Sequence, residues 1–216
     1  MALKNQYIRI TLHVSLLLFA LTSLFLNPIA TLAMGNNTTL PNFADFSKTV
    51  QNGQTNVLRG VYVANVLALP VVQQPSANAG YVSGNDGVAT QLRMASQFGD
   101  VGLLAHNHLA GKTFSSLVAD QEVRLVYGDG RVEYFVIQAV LKYQALQPNS
   151  PYSSFSNLDK KEEVLSAEQM FRRTYFGDHH ITFQTCTEAD GHQSWGRLFV
   201  IAVPKEEVST SDHLNK

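Results

Sequence analysis

The stretch Ile181-Thr182-Phe183-Gln184-Thr185-Cys186, with Trp195-Gly196-Arg197-Leu198-Phe199-Val200 after it, decides how this chain is read. Both halves are rich in β-branched and aromatic residues over about six positions, the composition of strands. His180 to Thr185 and Leu198 to Val203 are therefore expected to form a terminal strand pair, with Thr187 to Gly196 as the loop between them. Cys186 is the only cysteine among 216 residues, so no internal disulfide can form. It ends one expected strand, and Arg197 opens the next. A cationic neighbour favours the thiolate, the form in which cysteine attacks, so the pair reads as a nucleophile with a charged partner. The alternative for a lone cysteine is a small buried hydrophobe.

Working outward, strands outnumber helices. Val57 to Val72 alternates apolar residues and is expected as a strand pair or one long bent strand, and Gln73 to Asp86, with its Pro and Gly residues, as a loop. Val88 to Phe98 has helical spacing and stops at Gly99. Val101 to Ala105 is a short apolar strand leading into His106. Val123 to Tyr127 and Val132 to Tyr143 flank Gly128-Asp129-Gly130-Arg131, a hairpin signal. The long connection from Gln144 to Asp178 holds an expected helix near Glu162 to Tyr175, with Ser166 and Gln169 spaced as a capping box. These elements predict a mainly β fold, a barrel or sandwich with short helical insertions.

Met1 to Ala33 has a short basic start (Lys4, Arg9) and an apolar run from Ile10 to Leu26, the design of an export signal. Small residues before Ala33 suit cleavage, and the same run is nearly long enough to be retained as an N-terminal membrane anchor. Either fate puts the body outside the cytoplasm, secreted or membrane-anchored at the cell surface. Residues 34–56, rich in Asn, Thr and Gly, are expected as a flexible stalk, 57–204 as the catalytic domain, and 205–216 as a polar tail. The 16 basic and 17 acidic residues leave a net charge of −1, and no basic stripe suggests nucleic acid.

A cysteine nucleophile also needs a group that handles the leaving amine's proton. His106 and His108, at the end of the Val101 to Ala105 strand, are the candidates. Arg197 cannot act as a base, but its fork of donors can hold a carbonyl or stabilise an oxyanion.

The run Thr182-Phe183-Gln184-Thr185-Cys186 resembles the Thr-Leu-x-Thr-Cys motif of sortases. Leu103-Leu104-Ala105-His106-Asn107-His108, followed by Phe114-Ser115-Ser116-Leu117, resembles their strand-end Gly-His motif with its downstream Phe-x-x-Leu, and Arg197 matches the sortase arginine on the strand after the cysteine. The three blocks occur in the family's order over roughly Val57 to Pro204. Ala105 stands where sortases usually have glycine, Phe183 replaces a leucine, and His108 adds a second histidine. The lead-in and the distance to Phe114 favour His106.

The resemblance implies a closed β-barrel of about eight strands and a cysteine peptidase that acts as a transpeptidase. In such enzymes Cys186 would attack a backbone carbonyl of a C-terminal sorting signal to give a thioacyl-enzyme, His106 would protonate the leaving amine, and Arg197 would hold the signal and the oxyanion. An amine from a cell-wall peptide or a pilin lysine would then receive the protein. Thr182, Thr185 and Ala105 are assigned to the substrate-lining surface, with the core as the alternative for Thr185. The segment from Gln144 to Asp178 would form one wall of the groove. No cofactor and no metal are called for: His106-Asn107-His108, His179-His180, Asp178 and Cys186 could be assembled into a zinc site, but surface histidines of this kind are more often solvated. Competing readings are an extracytoplasmic cysteine peptidase that transfers to water and a non-catalytic surface barrel that binds a peptide or wall component.

Overall fold

Alternation of apolar and polar residues, read along the second half of the chain, becomes real strands in the computed structural model, which describes residues 39–206. The expected leader, the first residues of the expected stalk and nearly all of the expected tail lie outside the described residues. Ten strands form: β1 (Leu58–Val63), β2 (Leu67–Gln73), β3 (Ala89–Leu92), β4 (Val101–Leu104), β5 (Glu122–Tyr127), β6 (Val132–Ala145), β7 (Phe155–Asn157), β8 (Val164–Leu165), β9 (Ile181–Ala189) and β10 (His192–Pro204). Among the described residues the helices are α1 (Phe43–Val50), the single turn α2 (Arg93–Ser96) and α3 (Ala167–Tyr175), with a 3-10 helix over Ala110–Ser116. Among the described residues no helix is long and apolar enough to cross a membrane.

Pairing runs in the order β10-β9-β4-β3-β2-β1-β5-β6, and β6 pairs back to β10, so eight strands close into a barrel. Closure leaves the barrel without a free sheet edge. The pairs β2–β3 and β4–β9 are parallel, and every other pair is antiparallel. The mainly β, eight-stranded closed barrel with short helical insertions is thus the fold of this chain. Its interior is apolar: Val61, Leu103, Val123, Leu125, Ile181, Phe183, Val200 and Ala202 are fully buried. Phe114, from the 3-10 helix, enters this core and meets Phe183 edge-on at 5.2 Å between ring centroids.

The long β6 continues past the barrel and carries β7 and β8 as an outward extension. Together with α3 they cover a second apolar layer on the barrel's outer face, built from Tyr143, Ala145, Phe155, Leu165, Met170 and Phe199. The expected helix is present but begins at Ala167. Its start is fixed by the capping box: Ser166 accepts from Gln169 N–H, and the Gln169 side chain accepts from Ser166 N–H.

Three expectations change. Residues 89–92 are strand, not helix: Ala89 and Thr90 are fully buried, and the segment joins β2 to β4. A helix there would leave two strand edges unpaired inside the barrel wall, a cost that outweighs local spacing. Thr187 to Gly196 is not a loop. Both strands run on and turn at Asp190-Gly191, each with positive φ (53° and 76°), as a tight hairpin demands. Within the expected stalk, residues 43–50 form α1, capped by Asn42 and anchored by Phe46, which is buried with Tyr62 and Val126. Arg124 stacks its guanidinium on Phe43 at 4.5 Å.

Candidate active site

In an antiparallel pair, residues directly opposite project to the same side. Cys186 on β9 is opposite Arg197 on β10, and Arg197 is opposite Tyr143 on β6, so the three form one row across the sheet. The row lies on the outer face, because the residues beside it in sequence, Thr185 and Leu198, turn inward and are buried. On the other side β4 runs parallel to β9, with Leu104 opposite Gln184. Ala105 N–H still donates to the Gln184 carbonyl at 3.4 Å, and the Thr185 hydroxyl donates to the Ala105 carbonyl at 2.8 Å. β4 ends at Leu104, and His106 follows two positions later, where the chain leaves the sheet. The structure thus sets Arg197 opposite Cys186, whose thiol is half-exposed, and β4, which leads into His106, runs on the other side of β9.

The histidine loop is tightly folded. Leu109 and Gly111 both donate to the His106 carbonyl at 3.0 Å. A Cβ on Gly111 would come within 2.4 Å of the Thr185 hydroxyl and 2.7 Å of the carbonyls of Ala105 and His106, so only glycine fits where the loop tucks beneath the strand. His106 and His108 are exposed, with their rings stacked at 5.4 Å.

Arg197 is steered by its own strand. Its Nη1 donates to the carbonyls of Ser194 (3.0 Å) and Gly196 (2.8 Å), leaving Nε and Nη2 without a hydrogen-bond partner among the described residues. The guanidinium carbon lies 5.9 Å from the centre of the Phe155 ring, at the outer limit of a cation–π contact. A planar fork with free donors next to a thiol can bind a carbonyl oxygen as negative charge develops on it.

Thr182, Thr185 and Ala105, assigned by resemblance to the substrate-lining surface, are all buried. Thr185 and Ala105 hold each other at the root of the histidine loop, the core-facing alternative for Thr185. Thr182 lies under the end of α3, donating to the Thr174 carbonyl. Their side chains support the strands that carry the site.

The start of β9 is fastened by a buried polar cluster that sequence reading took for solvated histidines. His180 N–H donates to Asp100 Oδ1 at 3.0 Å. Its Nδ1 lies 2.8 Å from the Asp178 carbonyl and 3.1 Å from Asp100 Oδ1, and its Nε2 lies 2.9 Å from the Thr174 carbonyl. Burial pushes the Asp100 carboxyl above its ordinary value, against the lowering effect of the His180 N–H and charge. Farther along, the Tyr175 hydroxyl donates to Gln184 at 2.5 Å, so α3 is tied to β9 up to two residues before the cysteine. Among the described residues no group of three or more His, Cys, Asp or Glu side chains is arranged to hold a metal.

Among solved structures, the chain is similar to sortase A of Listeria monocytogenes, with 13% identity over 69% of this chain and 88% of that one and a TM-score of 0.44. It is also similar to sortase A from Corynebacterium diphtheriae (12% identity, 81% and 74% covered, TM-score 0.46) and sortase C1 from Streptococcus suis (12%, 78% and 80%, 0.46). No family model and no curated protein matches the chain.

Proposed function

We propose that this protein is a sortase-like cysteine transpeptidase whose nucleophile is Cys186. The observation that supports the reading is the pairing of Arg197 on β10 directly opposite Cys186 on β9, with β4, which leads into His106, parallel to β9 on its other side. The order of the three sequence blocks supports the same assignment. In this reading the Cys186 thiolate attacks a backbone carbonyl of a C-terminal sorting signal, the C–N bond breaks, and His106 gives its proton to the leaving amine. Arg197 offers Nε and Nη2 to the carbonyl oxygen as it becomes an oxyanion. An amine of the cell surface, from peptidoglycan or a pilin lysine, then attacks the thioester and releases the thiol.

Transfer to an amine and transfer to water share every step up to the thioester. In this reading the segment of β7, β8 and α3, which reaches Arg197 through Phe155, forms one wall of the groove and selects the peptide that docks. The export signal expected from the sequence of residues 1–33 supports a site of action outside the cytoplasm, secreted or membrane-anchored.

The test compares, by mass spectrometry, the proteins covalently attached to the surface of the source cell with Cys186 intact and with Cys186→Ala. A defined set that leaves the surface and shares a C-terminal motif is the expected result. Release of those same proteins with free carboxyl termini only when Cys186 is intact would mean hydrolysis, and no change at all would favour a binding module.

A further inference from the structure

The β9–β10 hairpin contains an irregularity that lies between the two groups flanking the thiol. His192 pairs with Ala189, and pairing resumes only at Gly196 with Thr187, so between these pairs β10 has three residues where β9 has one. Gln193, Ser194 and Trp195 therefore stand out of the ladder as a bulge, a device that re-aims side chains near a site. Two carbonyls of this bulge accept hydrogen bonds from side chains of different segments. Arg197 Nη1 donates to Ser194 from within β10. Asn107 Nδ2, in the histidine loop 86 positions earlier in the chain, donates to the Gln193 carbonyl at 2.9 Å.

We propose that Asn107 is a positioning residue, whose amide clamps the histidine loop to the β10 bulge and so holds His106 and Arg197 at a fixed separation on either side of Cys186. The inference rests on the proposed roles of those three residues. Nothing in the loop's own hydrogen bonds supplies this link. Leu109 and Gly111 close the turn onto the His106 carbonyl, and Thr185 fixes Ala105, but each of these bonds ties the loop to itself or to β9. Asn107 is the side chain that ties it to β10. It lies between two histidines whose rings stack at 5.4 Å, so loss of the clamp frees the loop to present either ring to the thiol.

The chemistry of the amide is specific. The Gln193 carbonyl needs a donor, which Asn107 provides. Asn107→Asp puts acceptor oxygens against an acceptor, Asn107→Ala removes the contact, and Asn107→Gln keeps the donor on a stem one methylene longer. The loop is at the surface and Asn107 is only half-buried, so all three variants should fold.

The first readout needs no substrate: the rate of Cys186 alkylation by iodoacetamide as a function of pH, in the full chain. His106→Ala sets the profile of a thiol without its histidine. Asn107→Ala and Asn107→Asp should move toward that profile with unchanged thermal midpoints, and Asn107→Gln should move back toward wild type. With the peptide substrate found by the surface comparison, kcat should fall about 10- to 100-fold in the first two variants, the scale of a small misplacement, with KM nearly unchanged. Asn107 profiles that superimpose on wild type while His106→Ala differs would overturn the positioning role alone. If His106→Ala itself leaves the profile unchanged, the assignment of His106 falls, and the clamp with it.

Discussion

The two faces of β9 follow different rules. On the inner face Ile181, Phe183 and Thr185 are all buried, and packing decides what can stand there. On the outer face the cover thins along the strand. Thr182 is sealed under the end of α3, Gln184 is reached by the Tyr175 hydroxyl, and Cys186 is half-exposed beside Arg197. One strand thus goes from structural cover to open chemistry within two turns of its side-chain alternation. The rigid inner face fixes where the outer face aims its thiol, which is how a reactive group is held without being enclosed.

Substitutions on each face should separate stability from activity. Phe183→Ala removes a ring from the barrel core against Phe114 and should cost about 3–5 kcal/mol by denaturant unfolding. A loss below about 1 kcal/mol would mean the inner face does not carry the fold. Arg197→Ala should leave the unfolding curve nearly in place and cut kcat by roughly 10² to 10³, the scale of one lost oxyanion donor. Normal turnover there would make the arginine structural.

Gly111→Ala joins the two faces. Its Cβ would press on the Thr185 hydroxyl from below and on the His106 carbonyl from above. About 1–3 kcal/mol of overpacking and a fall in activity should appear together, and a variant that loses neither would show the loop has room to move.

The smallest effect lies far from the site. Hydrogen bonds from Lys205 and then Arg124 hold the Glu122 carboxyl below its ordinary value of 4.5. A depressed carboxyl stabilises the fold above its unfolded value, and that contribution is lost as pH falls through the folded one. Glu122→Gln should therefore cost at most about 1 kcal/mol at neutral pH, with the two unfolding curves converging in acid. Curves that stay apart in acid would assign the effect to packing.

The sequence was informative where one rule acted alone. Alternation in Val132 to Tyr143 and the Gly-Asp turn before it produced the β5–β6 hairpin, and Ser166 with Gln169 marked the start of α3. It misled where a partner distant in the chain decided the outcome. Residues 89–92 have helical spacing, yet β2 and β4 recruit them as a strand. Phe43 and Phe46 sit in a polar stretch, and only Tyr62 and Val126 give them a surface to cover.

The candidate site divides in the same way. Cys186, His106 and Arg197 were legible as residue types that suit one chemistry, but their alignment depends on strand register, which no local pattern encodes. Asn107 entered the sequence analysis only within the His-Asn-His run and Gly111 not at all, because their partners, Gln193 and Thr185, lie more than 70 positions away. A glycine just after a strand-end histidine was the one signal that could have drawn attention to the loop's tight fold. The substrate-lining assignment of Thr182, Thr185 and Ala105 followed from the resemblance, and in the fold all three side chains are buried.

The central claim is that Cys186 forms a thioester with a peptide carbonyl. Its most direct test is the intact mass of the full chain, quenched in acid after brief mixing with the C-terminal peptide of a protein that depends on Cys186 for surface attachment. The account predicts an added mass equal to the acyl fragment, located on Cys186, absent in Cys186→Ala and released by hydroxylamine. A wild-type protein that processes the peptide with no adduct at any mixing time, or an adduct that persists in Cys186→Ala, would contradict it.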